Sequence, residues 1–103
     1  MAKFNLSNKA INDLTDIWNY TFDTWSETQA DNYYQILIDT CNDLANNPTL
    51  GKYYNKVSQN LLGYRIGSHI IFYNITDLKE IEIYRILHGQ MDLPNRLKTE
   101  KPT

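Results

Sequence analysis

Arginine, histidine and carboxylate side chains crowd the C-terminal part of this 103-residue chain, at positions where a strand would ordinarily carry apolar ones. Arg85 falls in register with Ile81, Ile83 and Leu87 in the alternating run EIEIYRIL; His88, Met91, Asp92 and Arg96 follow it, and Arg65 stands one hairpin earlier. An inward guanidinium has to be paired with a carboxylate or with carbonyls, reach solvent at a sheet edge, or serve a site. Were Arg65 and Arg85 to approach each other, their repulsion would call for an anion or an acidic partner between them. His88 could work as a general acid or base, because histidine titrates near neutrality without help. Its plainer role is that of a capping or packing residue at a strand end, and His69 reads as a half-exposed hairpin residue.

Other chemistries find little support. Two histidines without cysteine or histidine partners at ligand spacing do not make a zinc site, and no glycine loop cradles phosphates, so neither a metal nor a cofactor is expected. Cys41 sits on the inward stripe of a helical segment and reads as a small core residue rather than a nucleophile. Asp39 and Asp43, four residues apart, suit a solvated helix face better than a catalytic pair. Trp18, Phe22 and Trp25 form an unusually bulky stripe. Core packing explains it by default, yet a domain this small can leave an indole exposed, and exposed aromatics are frequent binding anchors. The segment GKYYNK, residues 51–56, suits base stacking or phosphate contact as well as it suits a loop tied to the core by its tyrosines.

The elements that position these residues follow from periodicity. Lys3 to Leu6 alternates as a short strand, and Ser7 stands where a helix N-cap belongs. Ile11, Leu14, Trp18, Phe22 and Trp25 then recur every three or four residues, with Asn12, Asp13, Asp16, Asn19 and Asp23 on the opposite, solvated face. Ser26-Glu27-Thr28-Gln29 matches a capping box and opens a second helix, whose stripe is Ala30, Tyr33 or Tyr34, Leu37, Cys41, Leu44 and Ala45; Asn47-Pro48 ends it. With almost no linker, the two helices should form an antiparallel hairpin. Residues 48–60 read as a polar loop. Residues 61–66 and 69–75 flank Gly67-Ser68, a two-residue hairpin signal, and residues 80–87 form the last strand. The pattern βααβββ predicts an α+β fold, two helices over one mostly antiparallel sheet. Residues 1–97 make a single domain, with residues 98–103 as a frayed tail.

Composition limits the function classes. No apolar run approaches the roughly 20 residues needed to cross a bilayer, the N-terminus lacks a signal-like apolar core, and one cysteine fits a reducing compartment, so the expected location is cytoplasmic. The net charge of -2 hides an asymmetry: residues 1–50 hold seven acidic side chains against Lys3 and Lys9, whereas the second half carries the basic excess. Strong unaided nucleic-acid binding needs several Lys or Arg neutralising phosphates together, which argues against it here.

Across nearly its whole length the chain resembles the ParE family of toxins from type II toxin–antitoxin modules. The likeness is carried by Leu6-Ser7 with Ala10, Asp13-Leu14, Ile17-Trp18-Asn19-Tyr20-Thr21, Trp25, Gln29-Ala30, and Asn47-Pro48 with Gly51. It continues through Leu62-Gly63-Tyr64-Arg65, Ser68-His69-Ile70-Ile71-Phe72-Tyr73, Ile81-Glu82-Ile83 and Arg85-Ile86-Leu87-His88 with Met91-Asp92. The resemblance implies the fold of the RelE/ParE superfamily and a non-enzymatic toxin that poisons DNA gyrase. It also implies a ParD-like antitoxin that neutralises the toxin in a hetero-oligomer. Trp18, Phe22 and Trp25 are then the expected antitoxin anchors, and Arg65, Arg85, His88, Met91, Asp92 and Arg96 the expected target surface, with no catalytic residue. The alternative is ribosome-dependent cleavage of messenger RNA, as in the RelE branch, with Arg65, Arg85 and His88 as its groups. The acidic net charge weighs against that alternative, since phosphate binding and transition-state stabilisation call for a basic surface.

Overall fold

The computed structural model describes residues 2–77 and 80–89. Its elements are β1 (Lys3–Leu6), α1 (Asn8–Thr24), α2 (Glu27–Asn46), a 3-10 turn (Pro48–Leu50), β2 (Lys52–Tyr53), β3 (Leu62–Ile66), β4 (His69–Asp77) and β5 (Glu80–His88). The strands form one sheet in the order β1-β5-β4-β3-β2, antiparallel except that β1 runs parallel to β5. This is the expected α+β fold, two helices packed on a mostly antiparallel sheet.

Both helices begin where the cap residues predict. The Ser7 Oγ accepts from the Ala10 amide at 3.0 Å and the Ser26 Oγ accepts from the Gln29 amide at 3.1 Å, each satisfying a donor the first helical turn would otherwise orphan. At the β3–β4 turn Gly67 takes φ +57°, a left-handed conformation that glycine adopts without a Cβ penalty. The predicted loop 48–60 is more ordered than its polarity suggests, because Lys52–Tyr53 pairs with Leu62 and Gly63 as a fifth strand. Two residues are too few to show an alternating pattern.

Two further expectations are corrected. On α1 the face turned to the core carries Ala10, Asp13, Leu14, Ile17 and Thr21, while Ile11, Phe22 and Trp25 are exposed. Asp13 therefore belongs to the packed face rather than the solvated one. On β5 the strict alternation fails. Tyr73 pairs with Ile83 but Phe72 pairs with Arg85, so Tyr84 is the extra residue of a β-bulge. Ile81, Ile83 and Ile86 consequently join the core beneath the helices, with Leu37, Cys41, Leu44, Ile71 and Tyr73. Tyr84 and Leu87 join a second cluster with Leu61, Ile70 and Phe72, where Tyr54 packs edge-on to Phe72 at 5.1 Å. That contact ties the 51–56 segment to the core, as one of its two readings had it, and leaves Tyr53 exposed.

Candidate functional site

The bulge decides what Arg85 does. β1 accompanies β5 only as far as Ile83, so the edge of β5 beyond that point needs other partners. Ser7 supplies one, its Oγ donating to the Tyr84 carbonyl at 2.7 Å. Asp13, one turn into α1, supplies another: its Oδ2 accepts from the Ile86 amide at 3.0 Å and from the Arg85 Nε at 2.8 Å, and its Oδ1 accepts from the Arg85 Nη2 at 2.9 Å. With Arg85 at 5% exposure and Asp13 at 9%, this is a buried bidentate ion pair joining α1 to the sheet. Arg85 is thus compensated by a carboxylate, the first of the three arrangements open to it. Arg65 is placed differently: it is exposed on β3, and its guanidinium lies where a Cβ on Gly89 would fall, at 2.5–2.9 Å.

A second cluster forms where β4 begins and β5 ends. His69 and His88 are cross-strand partners whose rings meet edge-to-face at 5.4 Å. The Tyr33 hydroxyl, reaching from α2, lies 2.7 Å from the His69 Nδ1. Burial above all, aided by the neighbouring His88 and opposed by Asp13, brings the His69 pKa down to about 4. Burial also raises the Tyr33 pKa, so near neutrality both groups are uncharged; the hydroxyl, which lies 3.4 Å from the Ile66 carbonyl as well, shares with Nδ1 a hydrogen bond whose direction follows the His69 tautomer. Neutral His69 is a poor source of positive charge for a phosphate. Cys41 is buried and free, its thiol pushed up to about 12 by burial, as suits a core residue.

The helical hairpin overhangs the end of the sheet. Beneath its tip lies an open groove of about 870 Å³, walled by α1 and α2 and closed at one end by Ser68, His69 and His88. Ile17, Tyr20, Trp25, Tyr33 and Ile36 make it largely apolar. Trp18 and Phe22 stack with ring centroids 5.2 Å apart, and the Trp18 Nε1 donates to the Asp31 Oδ1 at 2.9 Å. Of the three expected anchors, Trp25 is 67% exposed and Phe22 44%, while Trp18 is half-buried. Met91, Asp92 and Arg96 lie outside the described residues, as does the 98–103 tail.

Sequence reasoning passed over the pairing roles of Asp13 and Tyr33. Only Asp13 had a readable signal: the spacing of Ala10, Asp13, Leu14, Ile17 and Thr21 fits a helix face as well as the aromatic stripe does, and an inward arginine on β5 demanded a carboxylate. Among the described residues no three His, Cys, Asp or Glu side chains are grouped to hold a metal ion, and no helix is long and apolar enough to cross a membrane.

Residues 4–93 match the family described as ParE toxin of type II toxin–antitoxin system, parDE. Toxin ParE1 of Mycobacterium tuberculosis is 31% identical over 96 residues, spanning 93% of this chain and 98% of that protein. Toxin ParE1 of Caulobacter vibrioides is 36% identical over 96 residues, spanning 89% and 94%. The fold is similar to a chain of the chromosomal ParDE system from P. aeruginosa, with a TM-score of 0.72 at 18% identity over 85% of this chain and 96% of that one. It is also similar to a chain of the RelBE2 toxin–antitoxin complex from Mycobacterium tuberculosis, with a TM-score of 0.66 at 18% identity over 84% and 96%.

Proposed function

Because the chain belongs to the ParE family of toxins from type II toxin–antitoxin systems, we propose that it inhibits DNA gyrase by protein binding, performs no chemistry of its own, and is neutralised by a ParD-like antitoxin. The observation that carries the non-enzymatic reading is the Asp13–Arg85 pair. A nuclease acting on RNA needs unspent positive charge for the scissile phosphate, and here a carboxylate neutralises the inward arginine through two hydrogen bonds. Arg85 then serves the target surface from behind, by holding α1 against β5. The surface itself is Arg65 and His88 together with Met91, Asp92 and Arg96. The antitoxin covers the exposed aromatics of the hairpin, Phe22 and Trp25, with Trp18 stacked on Phe22. Both partners are met in the cytoplasm.

Expressing the chain without antitoxin separates the readings. Purified protein is added to a gyrase supercoiling assay, and ribosome-bound message is probed for cuts in parallel. Lost supercoiling with intact message is the expected result. Message cut at ribosomes with gyrase unaffected would replace this reading with the RelE-type one, and growth without any defect would mark the chain as an inactive relative.

A further inference from the structure

Strand register, rather than spacing, brings the two histidines of the chain together. Positions 69 and 88 match no ligand motif along the sequence. In the sheet, His69 opens β4 and His88 closes β5, and the antiparallel ladder sets them directly opposite, where side chains on one face stand about 4.5–5.5 Å apart at Cβ. Both are half-buried and both line the open groove, so solvent reaches them without any strand having to move.

The separation of the rings matches that of two imidazoles on one ion. With metal–nitrogen bonds of about 2.0–2.1 Å and each ring centre about 1.1 Å behind its nitrogen, a tetrahedral angle puts the centroids about 5.2 Å apart. Here they stand 5.4 Å apart, with 77° between the ring planes. The χ2 of histidine is a broad, soft torsion, so either ring can turn a nitrogen toward a common point while the strands stay in place. His69 also has an orienting contact. The Tyr33 hydroxyl lies 2.7 Å from its Nδ1 and 3.4 Å from the Ile66 carbonyl. When that hydroxyl donates to the carbonyl, Nδ1 donates to the hydroxyl oxygen, and Nε2 keeps the lone pair that a metal takes. Ligating histidines ordinarily have such a partner on the other ring nitrogen, which fixes their tautomer and orientation. His88 need give only one of its two nitrogens.

We propose that His69, through Nε2, and His88 together bind one divalent transition-metal ion of borderline softness, copper(II), nickel(II) or zinc(II), with solvent completing its coordination. Imidazole suits these ions, whereas magnesium and calcium call for oxygen ligands. Among the described residues no third His, Cys, Asp or Glu is grouped with the pair, so the site is open and exchangeable rather than a closed structural centre. Asp16 lines the same groove from α1 and puts a negative charge on the approach, while Arg85 on β5 is already neutralised by Asp13. A bound ion ties the start of β4 to the end of β5 at the closed end of the groove. This holds whatever target or antitoxin the toxin meets.

The test uses the purified full chain without a histidine tag, stripped with a chelator and titrated calorimetrically with copper(II), nickel(II) and zinc(II) salts. One ion should bind per chain, copper(II) most tightly, and magnesium and calcium should give no saturable heat. Saturating zinc(II) should raise the denaturation midpoint, because the site exists only in the folded chain. The paramagnetic resonance spectrum of the copper(II) complex should show two imidazole nitrogens. Tyr33→Phe should weaken binding about tenfold, the usual loss when a ligand's orienting partner is removed, and His69→Asn and His88→Asn by at least about that much each. Urea midpoints of the metal-free variants report whether they fold, and the copper spectrum of the parent decides the question even where one does not. Lack of saturable one-to-one binding, a spectrum with fewer than two imidazole nitrogens, or unchanged affinity in the double variant His69→Asn with His88→Asn would overturn the inference. Unchanged affinity in Tyr33→Phe would overturn the assignment to Nε2.

Discussion

Asp13 and Arg85, 72 residues apart in sequence, form a bidentate ion pair whose carboxylate also accepts the Ile86 amide, so one side chain both compensates a buried cation and satisfies the edge of β5. The bulge at Tyr84 makes this possible by changing the strand's register, and α1 makes it necessary, because β1 stops at Ile83. Removing one partner leaves the other charged and buried. Asp13→Ala should therefore destabilise the fold by about 3–5 kcal/mol, and Asp13→Asn by somewhat less, since the amide oxygen can still accept from Ile86. The double variant Asp13→Leu with Arg85→Met should lie closer to the parent than either single change. Urea midpoints of the parent, Asp13→Leu, Arg85→Met and the double variant measure this, and additive losses would show that the two residues do not act as a pair.

Ser7 and Ser26 both cap helices, but Ser7 has a second duty. Its hydroxyl accepts from Ala10 and donates to the Tyr84 carbonyl, whereas that of Ser26 accepts from Gln29 at an exposed site. Ser26→Ala should cost about 1 kcal/mol, the usual loss of a cap. Ser7→Ala should cost roughly 1 kcal/mol more, because a partly buried carbonyl also loses its donor. Equal shifts in the denaturation midpoint would mean that water replaces Ser7 at the β5 edge.

His69 makes stability fall in mild acid. Its pKa stands near 4 in the folded chain against 6.5 when unfolded. Below pH 6.5 the unfolded chain therefore takes up a proton that the folded chain refuses until about pH 4. The contribution is complete above pH 6.5 and is lost progressively as pH falls toward 4. His69→Asn places an amide group near the position of Nδ1, keeps a hydrogen-bonding partner for the Tyr33 hydroxyl, and removes the titration. Its denaturation midpoint should change less than the parent's between pH 7 and pH 5; an unchanged slope would assign the acid sensitivity to other groups.

Local signals carried much of this fold into the sequence, while the site depended on long-range pairing. Ser7, Ser26, Gly67-Ser68 and the α2 stripe act within a few residues, so propensity and spacing expose them. The role of Asp13 depends on Arg85, and the role of Arg85 on a bulge that an alternating pattern conceals, since EIEIYRIL reads the same whether or not Tyr84 is an extra residue. The same limit applies to β2, which exists only because β3 offers it an edge. The aromatic stripe on α1 misled for a related reason: Trp18, Phe22 and Trp25 have helical spacing, but the sheet lies under Leu14, Ile17 and Thr21, whereas Trp18 and Phe22 stack on the adjacent face of α1, with Trp18 bonded to Asp31 of α2.

Their different exposures allow binding to be separated from folding at the three aromatics. Trp25 is 67% exposed and follows the last turn of α1, so Trp25→Ala should change stability by no more than about 0.5 kcal/mol, as exposed substitutions away from special contacts generally do. Trp18 stacks on Phe22 and donates to Asp31 across the hairpin, so Trp18→Ala should cost about 1–2 kcal/mol from the lost ring contact and hydrogen bond. If the hairpin underside and its aromatics are where the antitoxin docks, Trp25→Ala should leave toxicity intact while weakening neutralisation by co-expressed antitoxin about tenfold or more, the behaviour of a buried aromatic anchor at an interface. Trp18→Ala should weaken both together, because it loosens the hairpin as well as the contact. A Trp25→Ala toxin neutralised as fully as the parent would move the antitoxin to another face, and the outer edge of β3 beyond Gly63, which no strand pairs among the described residues, would be the next surface to probe.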